Sequence, residues 1–568
     1  MGLDRIRSCL AGASLLIAVT SPVYSGVQPS THADQLVVEV WLQAPSQLQT
    51  LREYYDVWAR NHHSGGWWVR LPASELSRLE SLNIAYAIDH RRTAELQTAW
   101  PRTAAGAETI GGFPCYRTVE RTLADMATLA ATHPELAELR DIGDSWRKTV
   151  AQGGDDILAL VLSNRELAGP KPALVIAAAI HAREYATAEL AMRFAEDLLN
   201  GYGVDADATW LLDEYAIHIV PQLNPDGRAV AEQSDTRFKR KNDDAGFCSG
   251  DVLGRGIDLN RNSTVLWGGG GTSTSQCSDI YRGPTPASEP ETLAIENYLS
   301  TVFTDQRPGA ADNLTIPAAD ASEGLFISLH SFSELVLFPW EGVSDNSGNH
   351  SGLRTLARKL AFYNGYFACQ DCLGVAAGTT VDYAYGEFGV AAYTFEIGTS
   401  FFQSCASFNA SVLPDNLAAL RYAAKAARRP YQQGATPEAV ELSLSAASVD
   451  QGVAVELGAQ ISDARRRTQS DDGGEPGDNI HPVSGAYYTI DIPEWRGATL
   501  IPMQPQDGLF DSVTETVTAS IDTAALTVGR HRLFVYGEDS DGIGVPSAIF
   551  LEVLNNEQLF ADGFENSF

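Results

Sequence analysis

The sequence predicts an α/β protein, with helices covering both faces of a sheet. A small α+β unit precedes it and a β-sandwich follows. Three observations lead there. Residues 113–431 alternate helical patterns with near-continuous apolar runs: ALVIAAAI (173–180), YAIHIVPQL (215–223), GLFISLHS (324–331) and AAYTFEIG (391–398). Strands of that composition are covered on both faces. From 437 to 556 helical spacing fades, and short alternating strands such as VELSLSA, YYTIDI, VTASIDT and HRLFVYGED appear between turn residues. Residues 34–92 mix short strand and helix patterns in a length too small for the main sheet.

Each element follows from its pattern. In the first unit QLVVEVWL reads as a strand and QLQTLREYYDVW has helical spacing. Trp67 to Leu71 reads as a strand, a helix runs from an N-cap at Ser74 to Leu82, and AYAID is a strand. Residues 93–112 carry Pro101 and several glycines without periodicity and read as a linker. In the main domain AELAMRFAEDLLN is helical, and PDNLAALRYAAKAARRPY closes the domain, with Pro430 marking its end. The hairpin LTVGRHRLFVYGEDSDGIG resembles the last one of immunoglobulin-like or fibronectin-like modules, and 557–568 is an acidic, aromatic tail.

Bulk properties narrow the function. With 72 acidic and 40 basic residues the net charge is -32. Such a surface repels phosphate backbones and anionic lipid, so nucleic acid is excluded as a partner. Arg5 and Arg7 precede an apolar stretch from Cys9 to Val19, and Val23-Tyr24-Ser25 offers a cleavage site: residues 1–25 read as a signal peptide. No apolar run is long enough to span a membrane. The expected location is therefore secreted, extracellular or periplasmic. Removing Cys9 leaves six cysteines, an even number that suggests disulfides in an exported chain. Six allow fifteen pairings. The lone C-x-x-C, Cys369 and Cys372, reads as a small structural disulfide.

The chemistry is concentrated at strand ends. The run AAAIHAREYATAEL stops its apolar stretch at His181, with Glu184 three residues on. In α/β sheets sites gather at that edge, and a turn into a helix lets His181 and Glu184 reach one metal. His330 ends another apolar strand. Two imidazoles and a carboxylate leave a fourth zinc position open, the catalytic arrangement. Glu396 lies inside an apolar strand, where a lone carboxylate is expensive; it fits a general base for water. The stretch 224–262 supplies Arg240, Asn260 and Arg261. Arginine suits both a substrate's terminal carboxylate and a developing oxyanion. Arg237 and Lys239 read as a solvated basic loop.

Together these stretches resemble the zinc carboxypeptidases of the carboxypeptidase A and carboxypeptidase T kind, secreted bacterial members in particular, over about 113–431. AIHAREYAT resembles the zinc motif and SLHSFSELVLFPW the segment of the third ligand. The resemblance implies one zinc per chain on His181, Glu184 and His330, with Arg183 binding substrate. Arg240 would stabilise the oxyanion, and DLNRN would place Asn260 and Arg261 on the terminal carboxylate. Asp258 would orient His181, and Glu396 in YTFEIG would be the catalytic base. It further implies a mixed, eight-stranded type of sheet flanked by helices, a Cys248–Cys277 disulfide, and a pro-region over 34–92. The partners would be peptide or protein C-termini, and the chain a monomer. Val381 falls at the base of the family's pocket for the last residue and implies apolar or neutral preference. Two departures stand out: Gly374 replaces the tyrosine that closes over the substrate, and Lys239 replaces a tryptophan beside Arg240. The competing readings are the same fold on another amide, such as a cell-wall peptide, and a binding protein with an inactive enzyme-like domain. The intact Asn260–Arg261 pair argues against the first, and the complete ligand set against the second.

Overall fold

In a computed structural model, residues 34–61, 64–466 and 477–555 are described; the expected signal peptide and the tail 557–568 lie outside them. The N-terminal unit is a four-stranded antiparallel sheet, β1 (Gln35–Trp41), β2 (Asp56–Arg60), β3 (Trp67–Pro72) and β4 (Ala85–Ile88), in the order β2-β3-β1-β4. Helix α1 (Pro45–Tyr54) connects β1 to β2. The helical reading of QLQTLREYYDVW therefore ran too far: Asp56 to Arg60 pair with Arg70 to Trp67 across the ladder. A partner strand outweighs local helical spacing there. The segment expected to be a linker opens with helix α2 (His90–Gln97), whose first turn is capped by the Asp89 carboxylate accepting from Arg92 N at 2.9 Å. Ser74 lies in a 3-10 turn, Ala73–Glu75, whose cap residue is Pro72 and which has no side-chain cap.

The main sheet has eight strands: β5 (Ala137–Asp144), β6 (Asp156–Leu162), β7 (Ala173–Ala177), β8 (Ala216–Val220), β9 (Leu325–His330), β10 (Leu335–Leu337), β11 (Phe367–Cys369) and β12 (Ala391–Glu396). Their order is β11-β10-β12-β9-β7-β8-β6-β5. The central run β12-β9-β7-β8 is parallel, while β10 pairs β12 and β6 pairs β8 antiparallel, so the sheet is mixed. Every residue of β7 and of β9 is buried, as their unbroken apolar sequences require. Helices flank the sheet, among them α3 (Tyr185–Gly201), α4 (Pro290–Val302), α5 (His350–Asn364), α6 (Thr380–Phe388) and α7 (Leu413–Ala426). After β7 the chain proceeds to β8 on one side and later returns as β9 on the other. That reversal opens a crevice at the C-terminal ends of β7 and β9.

Beyond residue 437 two further sheets, of four and six strands, enclose a core that includes Leu457, Ile461, Val517, Leu533 and Val535. They are not loosely appended. Phe534, Tyr536 and Val545 join the hydrophobic core of the main domain. Lys359 on α5 is buried and bridges Glu438 at 2.6 Å. Among the described residues three disulfides are present: Cys248–Cys277, Cys369–Cys372 and Cys115–Cys405, the last joining positions 290 residues apart.

Candidate functional site

The crevice gathers the residues singled out at the strand ends. Glu184 occupies the N-cap position of α3, so the strand does turn into a helix within four residues of His181. Arg228, which sequence reasoning missed, holds that turn: its guanidinium donates to the carbonyls of Ala182, Glu184 and Tyr185 at 3.1–3.3 Å. His330 ends β9. His181 Nδ1 lies 2.8 Å from Glu184 Oε1 and 3.0 Å from His330 Nδ1, and His330 Nδ1 lies 3.3 Å from Glu184 Oε2. All three side chains are buried, with ligand atoms within 4.8 Å of one another.

Ligands about 2.0–2.2 Å from a tetrahedral zinc sit roughly 3.3 Å apart, so the donor set and its spacing fit that ion. Outer partners support the fit. His181 Nε2 faces Asp258 Oδ1 at 3.1 Å, and His330 Nε2 faces Ser328 Oγ at 2.9 Å, leaving both Nδ1 atoms directed at the shared point. Burial and the charge of Arg240 lower the pKa of His181, favouring the neutral, ligating imidazole. Burial alone would raise the pKa of Glu184, but His181 and His330 outweigh it and keep the carboxylate ionised.

The remaining residues surround this centre. Glu396 stands opposite His330 in the β9–β12 register. Burial, reinforced by the charge of Glu184, pushes its pKa up to about 7, against the opposing pull of His330 and Arg240. Arg240 donates through Nη2 to Asp258 Oδ2 at 2.9 Å, with Nη1 3.4 Å from His181 Nδ1. Burial disfavours its charge, yet Asp258 and Glu184 more than compensate and raise its pKa further. Asn260 and Arg261 lie in a short turn, Leu259–Arg261, capped by Asp258, whose Oδ1 accepts from Asn260 N at 3.1 Å. Arg261 is oriented by Gly271 O at 2.8 Å and Asn260 O at 2.7 Å. His181, Arg183, Arg240, Asn260, Arg261, His330 and Glu396 all line one cleft.

Two expectations are corrected. Val381 does not line this cleft; it sits in the first turn of α6, buried in the main core, because the helix turns that face inward. The acid Glu341, which sequence reading passed over, lines it instead. Arg237 and Lys239 are buried, not solvated. Arg237 donates to the carbonyls of Ser234, Leu96 and Thr98, and Lys239 to those of Val252 and Arg255. Burial lowers the Lys239 pKa to about 7.

The N-terminal unit closes the cleft. Asp56 at the start of β2 takes both guanidinium nitrogens of Arg183, at 2.7 and 2.9 Å. Arg52 of α1 reaches the carbonyls of Leu373 and Val375. A Cβ on Gly374 would lie 2.9 Å from Leu48 and 3.7 Å from Arg52. A tyrosine there would collide with α1, which gives a physical reason for the glycine.

Comparison with known proteins agrees with this geometry. The family model described as zinc carboxypeptidase matches residues 122–416. Carboxypeptidase A2 of Rattus norvegicus is 30% identical over 294 residues, 50% of this chain and 63% of the relative. The chain thus spans less than two thirds of that relative's length. Carboxypeptidase A5 of Homo sapiens is 29% identical over 353 residues, 58% of this chain and 73% of the relative. Among solved structures, the carboxypeptidase A from Helicoverpa armigera shares the fold with a TM-score of 0.56 at 22% identity, over 70% of this chain and 98% of that one. The thrombin activatable fibrinolysis inhibitor does so with a TM-score of 0.52 at 23% identity, over 69% and 99%. The matched span contains His181, Glu184, Asn260, Arg261, His330 and Glu396, and the chain belongs to the zinc carboxypeptidase family.

Proposed function

We propose that this chain is a secreted zinc metallocarboxypeptidase that hydrolyses the C-terminal peptide bond of peptides or proteins. The observation that carries the reading is the convergence, in one cleft, of the His181–Glu184–His330 set with Glu396, Arg240, Asn260 and Arg261. Zinc, when bound, supplies a Lewis acid for the scissile carbonyl and lowers the pKa of water. The residues do the rest. Asn260 and Arg261 hold the substrate's terminal carboxylate, which limits cleavage to chain ends. Arg240 donates to the oxyanion that develops on the carbonyl. Glu396 takes the proton of the attacking water and delivers it to the departing amine; a pKa near neutrality suits both transfers. Arg183 binds the chain upstream of the scissile bond once Asp56 has left it. The disulfides support export.

The N-terminal unit acts as a pro-region over 34–92. It covers the cleft, and release follows cleavage in the stretch after α2, where Arg102 and residues 104–106 are exposed. The test of activity is mass spectrometry of a peptide pool incubated with the zinc-loaded protein, before and after limited proteolysis, and with Glu396→Gln. Stepwise C-terminal trimming that falls by about 10²–10⁴-fold in the variant is expected. Cleavage inside chains, or none with zinc bound, would refute the reading.

A further inference from the structure

The cleft holds an acid without a cation. Glu341 follows β10, is 6% exposed and lines the cleft together with Leu337, Leu373, Ala376 and Thr394. Its backbone is fixed from two sides: its N–H and that of Gly342 donate to Asp382 at 2.9 and 2.8 Å, and its carbonyl accepts from Ala376 N at 2.7 Å. The carboxylate accepts from Thr394 Oγ1 at 2.6 Å. Among the described residues no lysine or arginine forms an ion pair with it, and Arg261 acts on it only through space. A buried carboxylate held by the hydroxyls of Thr394 and Thr379, with no ion-pair partner, is expensive. Asp382, behind it, is already satisfied by two backbone N–H groups and leaves Glu341 as the acid facing the cleft.

The surroundings describe what would satisfy it. Leu337, Leu373 and Ala376 offer apolar wall to an alkyl stem, and Glu341 offers a counter-charge to its tip, the pattern that suits lysine and arginine. Arg261 and Asn260, in the same cleft, provide for a carboxylate. An amino acid with a negative and a positive end matches both. The molecule already places one guanidinium here: Arg52 of the N-terminal unit lines this cleft, held by the carbonyls of Leu373 and Val375.

We propose that Glu341 is the specificity-determining residue of the cleft and that it selects substrates whose last residue is lysine or arginine. This rests on the carboxypeptidase reading above and replaces the apolar preference drawn from Val381.

The experiment uses peptides identical except for a final Arg, Lys, Leu or Phe, with the zinc-loaded protein and its Glu341→Gln variant, each before and after limited proteolysis that releases the N-terminal unit. The wild-type protein is expected to favour Arg and Lys ends in kcat/KM by at least about 100-fold, and E341Q to lose that preference while Leu and Phe ends change less than about threefold. Wild-type preference for Leu or Phe would overturn the proposal and leave the carboxypeptidase reading standing. Equal loss on all four ends in E341Q would mark a structural role and also overturn it. If no peptide is cut even after limited proteolysis has released the N-terminal unit, the carboxypeptidase reading fails. Calorimetric binding of free arginine against norleucine then decides separately: tighter arginine binding, lost in E341Q, supports the role of Glu341, and equal or absent binding refutes it.

Discussion

Asp258 joins the two ends of the site through one carboxylate. Its Oδ1 meets His181 Nε2 and caps the turn that carries Asn260 and Arg261, while its Oδ2 receives Arg240. Burial would raise its pKa, but Arg240, Arg261 and His181 together hold it well below the usual carboxylate range. An amide of the same size keeps one acceptor and turns the other into a donor, which conflicts with Arg240 or with His181. Asp258→Asn is therefore expected to weaken zinc binding by about 10–100-fold, measured by competition with a chelator. Unchanged zinc affinity would show that His181 needs no such partner.

At the scale of elements, the loops bearing Arg240 and Arg261 rest on the start of α4. Asn242 donates through Nδ2 to both Glu289 at 2.7 Å and Glu291 at 3.2 Å, and its Oδ1 accepts from Ile257 N at 2.8 Å. Burial raises Glu289 to about 7 and, with the neighbouring charge of Glu289, Glu291 to about 8. Both folded values lie above the unfolded carboxyl, so the folded state binds more protons. Their contribution to stability is complete below about pH 4.3 and is lost as pH rises through 7 and 8. The thermal midpoint of the protein should therefore decline between about pH 5 and 8.5, and Glu291→Gln, which cannot ionise, should flatten that decline. An identical slope in the variant would remove Glu291 from the account.

Across the whole molecule, three units interlock. The N-terminal unit is seated by Asp56 on Arg183, by Arg92 donating to Thr399 O at 3.3 Å, and by Trp58 stacked 5.8 Å from Phe238. The C-terminal sheets are tied down by Lys359–Glu438 and by Trp495 and Arg496 donating to Glu214, each at 2.9 Å. Removing one partner of a buried ion pair leaves the other uncompensated, typically costing about 3–5 kcal/mol. Asp56→Ala in the full chain should therefore loosen the N-terminal unit and raise peptide trimming at least about tenfold. After proteolytic release of that unit, wild type and variant should turn over alike. Equal rates in the intact chains would argue that the unit does not block the cleft.

Much of this was legible in the amino-acid order because it is local. Unbroken apolar runs located the buried strands β7, β8, β9 and β12. The abrupt change from Ile180 to His181, Arg183 and Glu184 marked a strand end that turns into a helix. A carboxylate in an apolar strand exposed Glu396. Strand β2 and helix α2 were missed because a partner strand and a docked surface stabilise them, and local spacing carries neither. The solvated reading of Arg237 and Lys239 failed for a related reason: the carbonyls that satisfy them come from segments apart in sequence, so their charge alone suggested water. The role given to Val381 depended on a position in a motif, and Glu341 has no motif at all. Which side chain faces the cleft is decided by the sheet edge and by Asp382 fixing the backbone of residues 341 and 342. The sequence by itself determined the class of fold and pointed to the candidate metal-binding set His181, Glu184 and His330, through periodicity and residue chemistry. The tertiary structure alone decided what fills the cleft: Arg52 and Asp56 from a unit more than a hundred residues upstream of Arg183, and Glu341 beside Thr394. Long-range contacts leave no periodic trace in the segments that make them.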